Sequence, residues 1–489
     1  MTDATREPSG SGEGPRPRRR DGLRTGLLFN LLGQVAMLAS TGLISILLAR
    51  HYGATLLGQW SVATVYANLV GTVTEGGLGR LLMRDAARDP KVLGRALGRV
   101  VKGRVYLGAI SAPVCLLAAA WTTSSGSAWA LVPLLIVARW IEGIQSSYQS
   151  ALFTLGDFRT PNLLETARRT VRVLAIVGIV ALDLGLAWVA ITMVGTALLS
   201  HRLLVRATRE VVTIDYSDAV REQWRDAFWF WLNGVLFWVN SEISLLMIAQ
   251  LVGEQVTGLY AAALRLVTLF LIVPRAMSNS LIPRFFRSAA SGDGQHRQLG
   301  GTAFVLSGLG ALVAAECWLF AAPVIDLIYG DEYRAAGPVL SIAALFLMLN
   351  FMRIPGMWFL STSDRVRMVT VALGLGALAN VLANLLLIPG AGAVGAAWAA
   401  VISEALLGLW ALGVTVRLKG PRILLATAFG LTVGGSALLV GLALPRSLHW
   451  LWSASISSAP ALALLGLIAR RLLRGWNPLG MMGPTPARA

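Results

Sequence analysis

The sequence predicts an all-α integral membrane protein: about fourteen transmembrane helices, forming two parallel six-helix lobes around a central cavity, with two accessory C-terminal helices. Three observations carry this. The 489 residues are 55% hydrophobic and 14% charged, with mean hydropathy +0.66, well outside the soluble globular range. Apolar runs of membrane-spanning length recur along the chain. An internal repeat relates its two halves.

The first 22 residues, with Pro8, Pro15, Pro17 and the basic run Arg16 to Arg20, are too polar to pack and read as a disordered cytoplasmic tail. The apolar run from Leu23 to Leu48 is too long for a signal-peptide core, and many further spans follow it, so it reads as the first transmembrane helix. Spans are expected near 23–49, 56–83, 101–121, 128–155, 170–184 and 186–201, then near 226–250, 256–283, 301–325, 336–361, 368–388, 393–416, 422–444 and 449–470. The short fifth and sixth are separated only by Asp183 and Gly185. Residues 23–205 would form the N-lobe, 206–225 a cytoplasmic linker, 226–416 the C-lobe and 417–472 the accessory pair, with 473–489 a cytoplasmic tail. Within Tyr216–Trp231, charges mix with a Trp and Phe face, which suits an interfacial helix.

Miscounting by one span would scramble the alternation of basic residues between loops. With even-numbered loops and both termini cytoplasmic, most of the 42 Lys and Arg residues gather on that side. Only Arg50, Arg334 and Arg446 fall in outer loops, and Arg80, Arg139, Arg265, Arg275 and Arg353 lie within spans. The net charge of +17 therefore reports membrane orientation rather than nucleic-acid binding, because the arginines punctuate apolar runs. Cys115 and Cys317 sit in apolar stretches away from any histidine cluster, which indicates packing rather than a disulfide or zinc.

The repeat is read directly. LLARHYGATLLGQWSVAT from Leu47 aligns with MIAQLVGEQVTGLYAAAL from Met247 without a gap, pairing Ala49 with Ala249, Gly53 with Gly253, Gly58 with Gly258, Trp60 with Tyr260 and Ala63 with Ala263. A weaker echo relates Asp157 and Arg159 to Asp364 and Arg365. Both join a span to the sixth after it, an even step, so the repeats share one orientation rather than being inverted.

These residues resemble the polysaccharide-unit flippases of the multidrug/oligosaccharidyl-lipid/polysaccharide exporter superfamily. The resemblance rests on LLARHYGATLLGQW, GGLGRLLMRDAAR, GDFRTPN, VTGLYAAALRL with LIPRF, and IDLIYGDEYRAAGPVL through NVLANLLLIPGAGAVGAAWAAVISE, in that order. It implies fourteen spans, two lobes, alternating access, and carriage of a polyprenyl-diphosphate-linked oligosaccharide across the bacterial inner membrane. Lipid II flippases and ion-coupled drug or cation antiporters share that architecture, so fold alone does not choose among them.

An arginine in the hydrocarbon region costs roughly 2.5–3.5 kcal/mol on insertion scales, so five of them require a polar cavity or an exit to the interface. Guanidiniums meet diphosphate oxygens bidentately and stay charged at any working pH. Arg139 and Arg265, with Arg50, Arg80, Arg275 and Arg353, are therefore candidate headgroup ligands. Arg139 and Glu142, on one helical face, equally suit a structural ion pair, and Arg80 and Arg353 suit snorkelling anchors. Glu242, Glu142, Glu404 and Glu75 read as buried acids able to couple transport to H+ or Na+, with pairing of Glu242 to Arg265 as the structural alternative. Asn233, Asn240, Asn350, Asn380 and Asn384 suit bridging between helices more than sugar binding.

The four histidines, His51, His201, His296 and His449, are scattered in loops, and no phosphate loop, metal motif or nucleophile elbow is present. No cofactor and no enzyme activity are expected. A membrane saccharide polymerase or ligase is the alternative of another class, disfavoured by short outer loops. Expected partners are the lipid-linked saccharide, a coupling ion, membrane lipids and polysaccharide polymerase machinery.

Overall fold

A computed structural model describes residues 23–122, 126–217, 223–275, 277–278, 281, 295–361, 366–444 and 450–472. The N- and C-terminal tails and the Asp364–Arg365 echo lie outside these. Among the described residues every regular element is helical.

The helices are α1 (Leu23–Glu75), α2 (Leu78–Arg88), α3 (Leu93–Thr122), α4 (Gly126–Thr154), α5 (Arg159–Ala181), α6 (Leu186–Arg209), α7 (Gln223–Leu251), α8 (Glu254–Leu269), α9 (Gln295–Tyr329), α10 (Gly337–Ser361), α11 (Val366–Lys419), α12 (Arg422–Ala443) and α13 (Trp450–Leu472). Eight helical stretches among the described residues are long and apolar enough to cross a bilayer, and the chain is a multi-pass membrane protein. Unbroken, the 53 residues of α1 would run about 80 Å, far beyond a hydrocarbon core of about 30 Å. A break at Gly53 (φ 76°, ψ 179°) divides it into two arms. The 54-residue α11 is broken likewise at Gly392 (φ 55°).

Several boundaries differ from the sequence expectation. The second span ends at Glu75, because Gly76 and Gly77 both take positive φ and release the chain into α2. Helix α2 is amphipathic, packing on α3 and α4. Glu75 is consequently exposed at a helix end rather than buried. The fifth span, expected to begin near 170, begins at Arg159. Of the expected interfacial helix, Tyr216 and Ser217 are non-helical, and from Gln223 the chain is continuous with α7. The turn between α5 and α6 falls where expected, with Asp183 (φ 52°) and Gly185 (φ 85°) both left-handed.

In the first half α1 packs on α3, α4 and α5. In the second, α7 packs on α11 and α9 on α10, while α12 and α13 attach to α9. That attachment is a small-residue crossing in which backbones nearly touch: a methyl on Gly434 would lie 2.0 Å from the Gly308 carbonyl oxygen. Glu316 on α9 accepts a hydrogen bond of 2.7 Å from Ser457 of α13.

The halves meet chiefly where α1 crosses α8, and the repeat is visible in the backbone. Gly53 (φ 76°, ψ 179°) and Gly253 (φ 121°, ψ 173°) share an extended left-handed geometry that side chains resist. Five residues on, Gly58 and Gly258 cross. A methyl on Gly58 would lie 1.9 Å from the Glu254 carbonyl oxygen, and one on Gly258 would lie 1.8 Å from that of Ala54.

Around this crossing each half caps helix ends of the other. Glu332 accepts a 2.8 Å bond from the Ala54 backbone N–H, at the start of the second arm of α1. The Tyr333 hydroxyl donates to the Ala49 carbonyl at 3.2 Å, at the end of the first arm. Arg50 donates to the Ile328 carbonyl at 2.7 Å and to that of Leu327, in the last turn of α9. Each contact satisfies a group that a helix end leaves open.

Candidate functional site

Two cavities lie on either side of α8. The first, about 300 Å³, is walled by both arms of α1 with α4 and α5, and Arg265 from α8 closes it. The second, about 330 Å³, lies within the second half among α7, α8, α10 and α11.

The first cavity is strongly cationic. Arg139, Arg168, Arg169, Arg172 and Arg265 line it together with Glu142. Glu142 is the hub: its Oε2 accepts from Arg139 at 3.0 Å, and its Oε1 accepts from Arg172 at 2.9 Å and from Arg168. The Arg139–Glu142 pair expected from their spacing is therefore present, as two of four groups in a network. Glu165 holds the next layer, 2.6 Å from both Arg168 and Arg169. Arg172 also donates to Thr196 at 3.1 Å, and Arg139 to Asn68 at 3.1 Å. Arg168 and Arg172 are buried, whereas the Arg139 side chain is 49% exposed and open to the cavity.

Helix geometry explains the cluster. In NLLETARRTVRV, Glu165, Arg168, Arg169 and Arg172 recur at spacings of three and four, which stacks them on one face of α5. Counted as loop charges in the sequence reading, they lie inside α5, well past its start at Arg159. That periodicity was the signal that pointed to them, and it was masked by their fit to the positive-inside pattern. Arg104, also counted with a loop, is 1% exposed and donates to the Gly143 carbonyl and Ser146 hydroxyl of α4.

Glu242 stands between the halves. Its Oε1 is 3.4 Å from the Asn68 amide, and the Arg265 and Arg139 charges act on it. No ion pair joins Glu242 to Arg265 among the described residues. Arg265 thus faces the cationic cavity with no carboxylate bound to it.

The second cavity is mainly apolar and aromatic, lined by Phe237, Tyr260, Phe346 and Trp358, with Arg275 and Arg353 also on its wall. Arg353 does not take the snorkelling alternative: it is 8% exposed and bonded through Nε to Glu404 at 2.5 Å, while Asn350 donates to the same oxygen at 3.1 Å. Arg275 is exposed beside Pro274. Asn240, Asn380 and Asn384 bridge α7 and α11: Asn380 donates to the Asn240 carbonyl at 3.1 Å and Asn384 to Ser244 at 3.0 Å.

The candidates fall into four places. Arg139, Arg265 and Glu142 share the first cavity and Glu242 adjoins it. Arg275, Arg353 and Glu404 line the second. Arg50 belongs to the capped crossing and Glu75 to an exposed helix end. The side chain of Arg80 lies outside the described residues.

Residues 231–386 match the MatE family model. No curated protein matches the sequence. Among solved structures the chain is similar to the lipid II flippase MurJ in an inward closed conformation, at TM-score 0.67 and 14% identity over 91% of this chain and 99% of that one. It is also similar to the MATE multidrug transporter DinF-BH in complex with R6G (TM-score 0.62, 14% identity, 87% and 100% of the two chains). An inward-facing multidrug resistance MATE family transporter of the MOP superfamily gives 0.59 at 15% identity over 83% and 96%. The fold is the one these transporters share.

Proposed function

We propose that the chain is an alternating-access transporter that flips a polyprenyl-diphosphate-linked oligosaccharide from the cytoplasmic to the outer face of the bacterial inner membrane, for polysaccharide biosynthesis. In this reading fourteen crossings make two six-helix lobes and an accessory pair, with both termini cytoplasmic. The observation that carries it is the first cavity, where five arginines drawn from both halves outnumber the two carboxylates that touch them.

Such a cavity attracts a concentrated anion and repels a cation. It therefore supports an anionic headgroup over the cationic substrates of a drug antiporter. A diphosphate carries oxygens that planar guanidiniums grip in pairs. Arg265, which no carboxylate among the described residues contacts, and Arg139, whose side chain is half exposed, would reach it first, and Arg275 and Arg353 would meet the saccharide in the second cavity. Glu242, lying between Asn68 and the two arginine charges, is the acid best placed to couple H+ or Na+ movement to the cycle. The likeness to MurJ favours lipid II as a second reading, and both lipids belong in one assay.

Purified protein in liposomes, supplied with a fluorescent polyprenyl-diphosphate oligosaccharide, should move it across the bilayer. Arg139→Ala and Arg265→Ala should each slow movement by tenfold or more while folding normally. Movement of lipid II alone would select the second reading. Expulsion of cationic dyes under an ion gradient, with neither lipid moved, would replace both with the antiporter.

A further inference from the structure

In the first cavity a carboxylate already sits among the guanidiniums. Glu142 engages three guanidiniums at once, those of Arg139, Arg168 and Arg172. Its two oxygens divide between them as the oxygens of one phosphate group would. Building on the anionic-substrate reading above, we infer that Glu142 is an internal stand-in for the substrate anion: in the empty cavity it holds the arginines in the binding arrangement, and an entering diphosphate displaces it.

Three features support this. Buried guanidiniums need a partner at all times, since an unpaired charge away from water is strongly destabilising; Arg168 and Arg172 are buried, so the empty cavity requires an internal counter-ion. Arg168 and Arg172 keep other partners, Glu165 and Thr196, that hold them in place when Glu142 withdraws. Arg139 and Glu142 share the cavity wall, and the Arg139 side chain is half exposed, so an incoming anion reaches a guanidinium bound to Glu142 first.

The function of such a carboxylate is to set affinity and release. A diphosphate must compete with Glu142, so it binds more weakly than five arginines alone would hold it, and Glu142 returns as it leaves. A transporter must release what it binds, and an internal competitor prevents the arginines from becoming a trap. The empty protein also stays folded without an anion from solution.

The test uses the full chain in detergent, with inorganic pyrophosphate as the probe, read by calorimetry and by the melting temperature. Glu142→Gln keeps the shape and removes the charge. The variant should melt below wild type when empty, bind pyrophosphate at least tenfold more tightly, and gain more melting temperature from it than wild type gains. Glu316→Gln, at the α9–α13 contact, should leave pyrophosphate affinity unchanged. Farnesyl diphosphate in a parallel arm separates a prenyl-linked ligand from the free anion: tighter binding than pyrophosphate, with the same response to Glu142→Gln, places the lipid form in this cavity.

A folded Glu142→Gln that binds pyrophosphate no more tightly than wild type overturns the inference and leaves Glu142 as a structural ion pair. Should that variant fail to fold, Glu142→Asp decides the matter, since its shorter side chain loosens the hold on the arginines and should tighten pyrophosphate binding severalfold. Unchanged affinity there is equally decisive against the proposal. Because the probe carries neither sugar nor lipid, tighter binding stands even if liposomes move no lipid-linked oligosaccharide, and failed competition leaves the flippase reading intact.

Discussion

At the scale of the residue, the two cavities use buried charge differently. In the second, Arg353 and Glu404 form a closed pair with Asn350, and removing one partner leaves the other charged and desolvated. Glu404→Ala should therefore cost about 3–5 kcal/mol, whereas replacing both, as Arg353→Met with Glu404→Leu, should recover most of that. Thermal melting in detergent micelles measures both, and a single substitution as mild as the double would show that water reaches the pair. In the first cavity the arginines outnumber their acids, which suits binding rather than packing. Sequence reading found Arg139, Glu142 and Arg265 because a charge inside an apolar run is conspicuous. It passed over Arg168, Arg169 and Arg172 because they precede the apolar part of α5, and hydropathy cannot tell a charge inside a helix from one in the loop before it. Burial decides between them, and burial depends on which helices pack alongside.

At the scale of the element, the sequence announced breaks better than ends. Gly53, Gly253, Asp183 and Gly185 were legible because positive φ favours residues of their type. The start of α5 was not, since hydropathy does not mark it, and the end of the second span was missed because the apolar residues of α2 run on past the Gly76–Gly77 pair that closes it. The gapless repeat paired Gly58 with Gly258 but did not say that they cross, and the reciprocal caps around them were invisible, because Glu332 and Tyr333 have no counterpart in the first half at that offset. Those caps should govern the distance between α1 and α8. Spin labels at Thr55 and Gln255, exposed next to the crossing, should report one short distance in the wild type. Glu332→Ala should add a longer component, and Gly258→Leu should abolish the short one, since a side chain there meets the Ala54 carbonyl. An unchanged distance in Gly258→Leu would mean the halves meet elsewhere in the membrane.

At the scale of the molecule, orientation rests on the distribution of arginines. Arg104, Arg168, Arg169 and Arg172 stand inside helices rather than in loops, so the proposal of two cytoplasmic termini rests on the other basic residues. A fluorescent protein fused after Ala489 should glow in intact cells, and alkaline phosphatase fused at the same place should be inactive; the reverse pair of results would invert the assignment and with it the direction of transport.

At its tightest point, Gly58 against Gly258, the α1–α8 seam is made from backbone, which bears on speed. Parting two glycine faces wets carbonyl groups that water satisfies at once and uncovers little greasy surface, so the hydration penalty that slows the opening of an apolar interface is small here. Polar contacts around that point also resist separation: the caps supplied by Arg50, Glu332 and Tyr333, and the 2.7 Å bond from Gln59 to Glu254. In the proposed cycle, substitutions among these rim side chains should shift the tempo while leaving the cavities untouched.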